Sequence, residues 1–295
     1  MKVVVGASSF AEGNQEIEEM FNIRDIELVR NPFGRRLTKD EIIKHINGAD
    51  GLLAGLEPLD EEVFASCTNL KAIARIGIGM DNVDIESAHK RGIKVSNTPE
   101  GPTEAVAEMT LSALLSIIHN IICTNNEIHN KKWKKYIGKS ITELKIFILG
   151  YGHIGKKTAE LFTKLGSEVM IYDKFCEGSN CSFEEGLREA DVISIHVSGE
   201  EEIITDEMIS MMKDGVIILN SARGALINEQ GLYNALKSGK VAWFWGDALW
   251  QEPYQGKLIE CDNAILTPHI STYTTKCRAS MEKQAVENLF RDLRV

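Results

Sequence analysis

The sequence predicts an α/β protein made of two doubly wound parallel-sheet units. Three observations carry this. Short apolar runs alternate with amphipathic stretches over the first third of the chain, and strand–helix alternation of that kind gives a mostly parallel sheet covered on both faces. Two prolines and a glycine in Asn97-Thr98-Pro99-Glu100-Gly101-Pro102 then interrupt the pattern, and a second alternating block opens at Lys145. At 295 residues the chain also exceeds the roughly 100–200 residues of one domain.

In the first block, Val3–Val5, Gly51–Ala54, Lys71–Ile76 and Lys94–Ser96 read as strands. Glu12–Phe21, Thr38–Asn47, Leu59–Cys67 and Ile85–Arg91 read as helices, several opening on an acidic or threonine cap. A long helix is expected from about Thr103 to Ile122. Its apolar stretch from Leu111 is broken by Ser112, Ser116, His119 and Asn120, which makes it a buried helix and not a membrane span. The Asn/Lys-rich stretch from Asn125 to Lys139 reads as a linker or an oligomerisation arm. In the second block the strands are Ile146–Leu149, Glu168–Tyr172, Val192–His196, Val216–Asn220, Ala242–Gly246 and Ala264–Leu266, and Lys276–Leu293 is a closing helix with a charged face. Chain termini often lie close together, so this helix is expected to return to the first unit. The domains are therefore placed at 1–97 plus 271–295 and at 98–270.

Composition narrows the function. With 43 % hydrophobic and 26 % charged residues the chain is an ordinary globular protein, not a disordered or fibrous one. Lys plus Arg number 33 against 43 Asp plus Glu, a net charge of −10, which argues against nucleic acid or an anionic membrane as partner. The one dense basic cluster, Lys131-Lys132-Trp133-Lys134-Lys135, reads as a solvated loop. The six cysteines form no C-x-x-C pair and no His-partnered spacing, so no metal is expected. Reduced thiols and an opening apolar run too short for a signal peptide fit a cytoplasmic protein.

The most informative motif is Ile146-Phe147-Ile148-Leu149-Gly150-Tyr151-Gly152-His153-Ile154-Gly155, an apolar strand running into G-x-G-x-x-G, with a helix expected over Lys156–Leu165. Gly150 permits the tight turn, Gly152 lets the backbone approach a pyrophosphate, and Gly155 allows close helix–strand packing. The N–H groups at the helix start, around His153 and Ile154, favour an anion. The next strand ends at Asp173, close to the spacing of roughly 20 residues expected for a ribose-binding acid. A carboxylate there accepts from the ribose hydroxyls and repels a 2′-phosphate, so NAD is expected over NADP, with Lys174 softening that preference. The earlier Gly77-Ile78-Gly79-Met80-Asp81-Asn82 has Asn82 in place of a third glycine. It is a poor dinucleotide site, although its backbone N–H groups suit a small anion such as a carboxylate.

Ligands of open α/β sheets sit beyond the carboxyl ends of the strands. Arg223, Glu252 and His269 follow three such ends, in Asn220-Ser221-Ala222-Arg223-Gly224, Asp247-Ala248-Leu249-Trp250-Gln251-Glu252-Pro253 and Leu266-Thr267-Pro268-His269-Ile270. Taken alone each has a plain structural explanation: a surface histidine, a surface ion-pair partner, a turn residue. Together they suit one reaction. Oxidising a 2-hydroxy acid needs a base for the hydroxyl proton, and histidine is the natural group near neutrality. A carboxylate on its other ring nitrogen fixes the tautomer and stabilises the imidazolium, and a guanidinium binds the substrate carboxylate and polarises the carbonyl in reverse.

With these segments in order, the chain resembles the D-isomer-specific 2-hydroxyacid dehydrogenase family over nearly its whole length. The matching segments are Arg75–Asp84, Asn97-Thr98-Pro99, Gly150–Gly155, Asn220–Gly224, Asp247–Pro253 and Thr267-Pro268-His269. The resemblance implies a homodimer of two-domain subunits, each domain Rossmann-like or flavodoxin-like, with the active site in the interdomain cleft. It implies Arg223, Glu252 and His269 as catalytic residues, with Arg223 also holding the substrate carboxylate, and Ile78 and Gly79 offering backbone N–H groups to it. It implies Asp247 on the nicotinamide carboxamide, with His196 and Ala222 among the cofactor contacts. The run from Arg75 to Asp84 is most similar to phosphoglycerate dehydrogenases, so 3-phosphoglycerate is the expected substrate and Arg75 a candidate phosphate ligand. The chain's length implies a short form without a regulatory domain. Alternatives are reduction of glyoxylate, hydroxypyruvate or another 2-keto acid, and a non-catalytic NAD-sensing binding protein. Three features depart from the family pattern. The family's His-x-Pro-Leu-Thr reads His196-Val197-Ser198-Gly199 before Glu200-Glu201-Glu202, the segment after His269 lacks the usual glycine, and Trp243, Trp245 and Trp250 are bulky around Asp247, filling the core or narrowing the pocket.

Overall fold

Strand–helix alternation runs the length of the chain. The computed structural model describes residues 1–12, 14–99, 101–199 and 201–295. It divides into unit 1, Met1–Pro102 with Tyr273–Val295, and unit 2, Thr103–Thr272.

Unit 1 is a five-stranded parallel sheet of β1 (Lys2–Val5), β2 (Glu27–Val29), β3 (Gly51–Ala54), β4 (Ala72–Arg75) and β5 (Lys94–Ser96), in the order β2-β1-β3-β4-β5. The central strands are largely apolar and buried on both faces. Helices α1 (Gln15–Asn22), α2 (Lys39–His45), α3 (Glu61–Ser66) and α4 (Ile85–Lys90) alternate with the strands. Side-chain caps fix three of their starts: Thr38 in a capping box with Glu41, Asp60 on the Val63 N–H, and Asp84 on the Ser87 N–H. The C-terminal helix α11 (Thr275–Leu293) belongs to this unit, with Leu289 and Leu293 lying over Gly51 of β3 and Phe290 edge-on to Phe21 of α1. Strand β2 escapes the sequence reading because it is a three-residue edge strand with one exposed and two half-buried positions. The helix expected from Glu12 starts at Gln15, and Gly13 lies outside the described residues.

Unit 2 is a six-stranded parallel sheet of β6 (Lys145–Leu149), β7 (Glu168–Tyr172), β8 (Val192–Ile195), β9 (Val216–Asn220), β10 (Val241–Gly246) and β11 (Ala264–Leu266), in the order β11-β10-β9-β8-β6-β7. Successive residues feed opposite faces, as the pleat requires. Phe147, Leu149, Ile193, Ile195 and Ile218 join one core layer, and Ile146, Ile148, Val192, Ile217 and Leu219 the other. The helices are α5 (Pro102–Ile118), α6 (Ile121–His129), α7 (His153–Lys164), α8 (Phe183–Glu189), α9 (Asp206–Met211) and α10 (Glu229–Ser238).

The long helix expected from Thr103 to Ile122 is two helices bent by 59°, broken where Asn120 takes a left-handed conformation at φ +54°. The stretch expected to be linker from Asn125 is helical as far as His129, because Ile121 and Thr124 continue a helical turn past the break. No single helix among the described residues is long and apolar enough to cross a membrane. The three tryptophans fill the core. Trp245 is fully buried, Trp243 packs against the same layer, and Trp250 packs against the opposite one while donating to the Ile227 carbonyl at 3.0 Å.

Candidate active site

The glycine turn of unit 2 has the geometry that a dinucleotide needs. Gly150 leaves β6 at φ +97°, and a side chain there would stand 2.7 Å from the backbone of His196 and Val197, so only glycine fits. A side chain at Gly155 would overlap the Gly150 carbonyl oxygen, so helix α7 packs onto the strand at that point. Gly152 differs: a Cβ built there meets nothing within 4 Å. It caps α7, which begins at His153 and not at Lys156, and no side chain caps that N-terminus. An open glycine at an uncapped helix start is where a pyrophosphate fits, on N–H groups and the positive end of the helix dipole.

Asp173 stands at the end of β7 and is tied to this turn. Its carboxylate accepts from the Tyr151 N–H at 2.6 Å and from the N–H groups of Phe175 and Cys176 at 2.7 and 2.8 Å. Partial burial pushes the Asp173 carboxyl up, but these backbone donors outweigh it and hold it below its ordinary value. The group is therefore ionised at neutral pH, as a ribose acceptor must be.

At the other strand ends, three side chains are built onto linked loops. His269 leaves β11 with φ +56°, and its N–H donates to the carbonyls of Asp247 and Thr267 at 2.9 and 3.0 Å. The His269 Nδ1 lies 2.8 Å from the Glu252 Oε1, and both side chains are about a quarter exposed, at 25 % and 27 %. Arg223 sits in the turn after β9, where Asn220 binds the turn from both sides: its Nδ2 donates to the Arg223 carbonyl and its Oδ1 accepts from the Ala222 N–H. A side chain at Gly224 would strike the Leu249–Trp250 backbone, so the Arg223 turn lies directly against the segment leading to Glu252.

Asp247 has a role the sequence does not announce. It is 2 % exposed, and its carboxylate accepts from the Thr267 hydroxyl at 2.6 Å, the Ile270 N–H at 2.9 Å and the Ser271 N–H at 2.8 Å. It brackets His269 on both sides. The strand expected to reach His196 ends at Ile195, and His196 follows it with both ring nitrogens engaged, Nε2 with the Ser194 hydroxyl at 2.8 Å and Nδ1 with the Ser221 hydroxyl at 3.0 Å. Burial depresses it to about 3, so the imidazole is neutral. Beyond it, Glu200 lies outside the described residues. Of the expected site residues, Arg75, Ile78 and Gly79 belong to unit 1, and all the others to unit 2. Among the described residues no group of three His, Cys, Asp or Glu side chains gathers to hold a metal.

Residues 111–271 match the family model for the D-isomer specific 2-hydroxyacid dehydrogenase, NAD binding domain. The chain belongs to the D-isomer-specific 2-hydroxyacid dehydrogenase family. Within it, the chain is 36 % identical over 270 residues to a hydroxypyruvate reductase of Blautia hydrogenotrophica, covering 85 % of this chain and 84 % of that one. It is 31 % identical over 269 residues to a D-3-phosphoglycerate dehydrogenase of Archaeoglobus fulgidus, which covers 86 % of this chain but only 51 % of the longer relative. Among solved structures, the TT0316 protein of Thermus thermophilus superposes with a TM-score of 0.89 at 32 % identity, over 100 % of this chain and 97 % of that one. This dehydrogenase is an NAD-dependent oxidoreductase of small 2-hydroxy or 2-keto acids, and unit 2 holds its NAD-binding domain.

Proposed function

We propose that this dehydrogenase reduces a short 2-keto acid of the hydroxypyruvate or glyoxylate type to the D-2-hydroxy acid, with His269 as proton donor. The observation that carries the reading is the 2.8 Å pairing of His269 Nδ1 with Glu252. NADH, when bound, supplies hydride to the carbonyl carbon. The chain's own residues do the rest. Arg223 binds the substrate carboxylate and polarises the carbonyl, lowering the cost of negative charge on its oxygen. With Nδ1 held by Glu252, the Nε2 of His269 faces that oxygen and delivers the proton. Glu252 then offsets the loss of charge on the imidazole by favouring its reprotonation. Asp247 positions His269 through the Thr267–Ser271 loop, beside any contact with the nicotinamide. Gly150, Gly152, Gly155, His153 and Ile154 hold the pyrophosphate, Asp173 the ribose, and His196 and Ala222 line the same side.

Unit 1 is the substrate-binding domain in this reading, with Ile78 and Gly79 offering N–H groups to the substrate carboxylate. Asn97 and Thr98 hold that loop, through the Ile78 carbonyl and the Gly77 N–H. A homodimer is proposed on the face of α6 and the following coil, where Ile121, Ile128, Trp133 and Ile137 are exposed. A reducing, cytoplasmic setting suits six free cysteines.

A second reading, oxidation of 3-phosphoglycerate, is favoured by the position of Arg75 at the end of β4, where the resemblance places a phosphate ligand. NADH oxidation measured against glyoxylate, hydroxypyruvate, branched 2-keto acids and phosphohydroxypyruvate separates the two. The first reading expects turnover with the unphosphorylated acids. No turnover with any 2-keto acid contradicts both.

A further inference from the structure

The loop that follows β1 is held at the carboxyl edge of the unit 1 sheet from two sides. Just past the end of β2, Arg30 donates to the carbonyl of Phe10, whose own side chain is buried. Near the start of α11, Arg278 Nη2 donates to the Ser9 carbonyl at 2.8 Å and to Glu282 Oε1 at 2.6 Å. The other carboxylate oxygen, Glu282 Oε2, accepts from the Ala11 N–H at 3.0 Å. Glu282 is 5 % exposed, so this ion pair lies largely away from water, where each charge needs the other. Ala11, fastened by it, takes a left-handed conformation at φ +50°, which a non-glycine residue keeps only where its surroundings hold it.

The same arginine reaches a second segment. Its guanidinium carbon lies 5.0 Å from the centre of the Tyr273 ring, a cation–π contact, and Tyr273 directly precedes Thr274, which caps α11. Arg278 and Glu282 thus set the Ser8–Ala11 loop and the Tyr273 ring against one another. Where the two segments meet, the Ser8 and Tyr273 hydroxyl oxygens stand 3.5 Å apart. That is the outer limit of a hydrogen bond, and Tyr273 is 50 % exposed. Both hydroxyls therefore keep the capacity to bond a third oxygen placed between them.

We propose that the Ser8 and Tyr273 hydroxyls form a subsite for a hydroxyl on C3 of the substrate, and so select hydroxypyruvate over 2-keto acids that lack it. This deepens the reading above and rests on it, since it takes Ile78 and Gly79, at the same edge of the sheet, to hold the substrate carboxylate. The reach fits. β1 and β4 are separated by β3 alone, so they lie about 9–10 Å apart. In hydroxypyruvate three bonds join the carboxylate carbon to the C3 oxygen, about 3.8 Å when extended. With a hydrogen bond of about 2.8–2.9 Å beyond each terminal oxygen, the molecule bridges about 10 Å. Tyr273 is also the fourth residue after His269, so the chain itself keeps the two within about 14 Å. Pyruvate brings only a methyl group to that place, and glyoxylate has no C3.

The test compares kcat/KM for hydroxypyruvate and pyruvate, which differ only in that hydroxyl, in the wild-type enzyme, in Tyr273→Phe and in Ser8→Ala. Tyr273→Phe keeps the ring against Arg278 and removes only the oxygen. Wild type is expected to prefer hydroxypyruvate by about 10-fold or more, and each variant to narrow that ratio by about threefold or more. An unchanged ratio in Tyr273→Phe overturns the proposal. So does a wild type that prefers pyruvate, a result that needs no variant. Should neither acid be turned over, the proposed function fails, and calorimetry on the NAD-loaded protein then reads the inference alone. The affinity for D-glycerate relative to D-lactate should fall by about threefold or more from wild type to Tyr273→Phe, and an unchanged ratio overturns it.

Discussion

Replacing Glu252 with Gln keeps the shape of the side chain and removes its charge, so it isolates what the carboxylate contributes to His269. The amide oxygen can still accept from Nδ1, and the ring keeps its tautomer and its position. What is lost is the charge-assisted part of a 2.8 Å hydrogen bond. Such bonds are worth about 1.5–3 kcal/mol net, and a pair about a quarter exposed belongs in the lower half of that range. A charged bond is roughly twice a neutral one, and the amide keeps the neutral part, so the loss is ~1 kcal/mol, about a fivefold fall in rate. The assay is kcat/KM for NADH-dependent reduction of hydroxypyruvate, with the NADH dissociation constant measured alongside by fluorescence. The expected result is the full loss in kcat/KM with NADH affinity unchanged. A kcat/KM within about twofold of wild type, below ~0.5 kcal/mol, refutes the assignment of Glu252, as does a loss carried entirely by NADH affinity.

Three further outcomes follow from the same geometry. Arg223→Lys should lower kcat/KM by about 100-fold or more, because a point charge does not reproduce a planar two-pronged contact with carboxylate and carbonyl; steady-state kinetics with hydroxypyruvate check it. Gly152→Ala should leave the melting temperature unchanged, since its Cβ meets nothing and its φ of −73° suits alanine, yet weaken NADH by about tenfold or more, ~1.4 kcal/mol, as measured by NADH titration. His196 is depressed from an ordinary 6.5 to about 3 in the folded protein, so the unfolded chain takes up a proton first as pH falls. That stability is fully present above about pH 6.5 and is lost progressively down to about pH 3. At pH 5 the loss is about 2 kcal/mol, and His196→Gln should remove it. All four tryptophans lie in unit 2, so urea unfolding followed by their fluorescence at pH 7 and pH 5 reads it out.

Much of the fold was legible in the sequence because buried parallel strands are short and uniformly apolar. Ile146–Leu149 and Val216–Asn220 have no other reading, and Asp or Thr caps mark the helix starts at Thr38, Asp60 and Asp84. The misses have physical causes. Strand β2 is an edge strand with too little apolar character to signal itself, and the break at Asn120 depends on one residue adopting a left-handed conformation within an otherwise continuous apolar pattern. The pairing of Glu252 with His269 was legible from their places after strand ends. The bracketing of His269 by Asp247 was not, because it depends on loops from two strands meeting. Glu57 gave no signal at all. In the sequence it is one acid among 43 Asp and Glu, and only folding shows it fully buried with its carboxylate against Gly6 and Gly55.

The most direct test of the central claim is His269→Ala, assayed for NADH-dependent reduction of hydroxypyruvate beside wild type. Removing the proposed proton donor should lower kcat by roughly 10²–10⁴-fold while the NADH dissociation constant stays where it was, since His269 lies outside the glycine turn proposed to hold the cofactor. A variant that turns over at the wild-type rate contradicts the account.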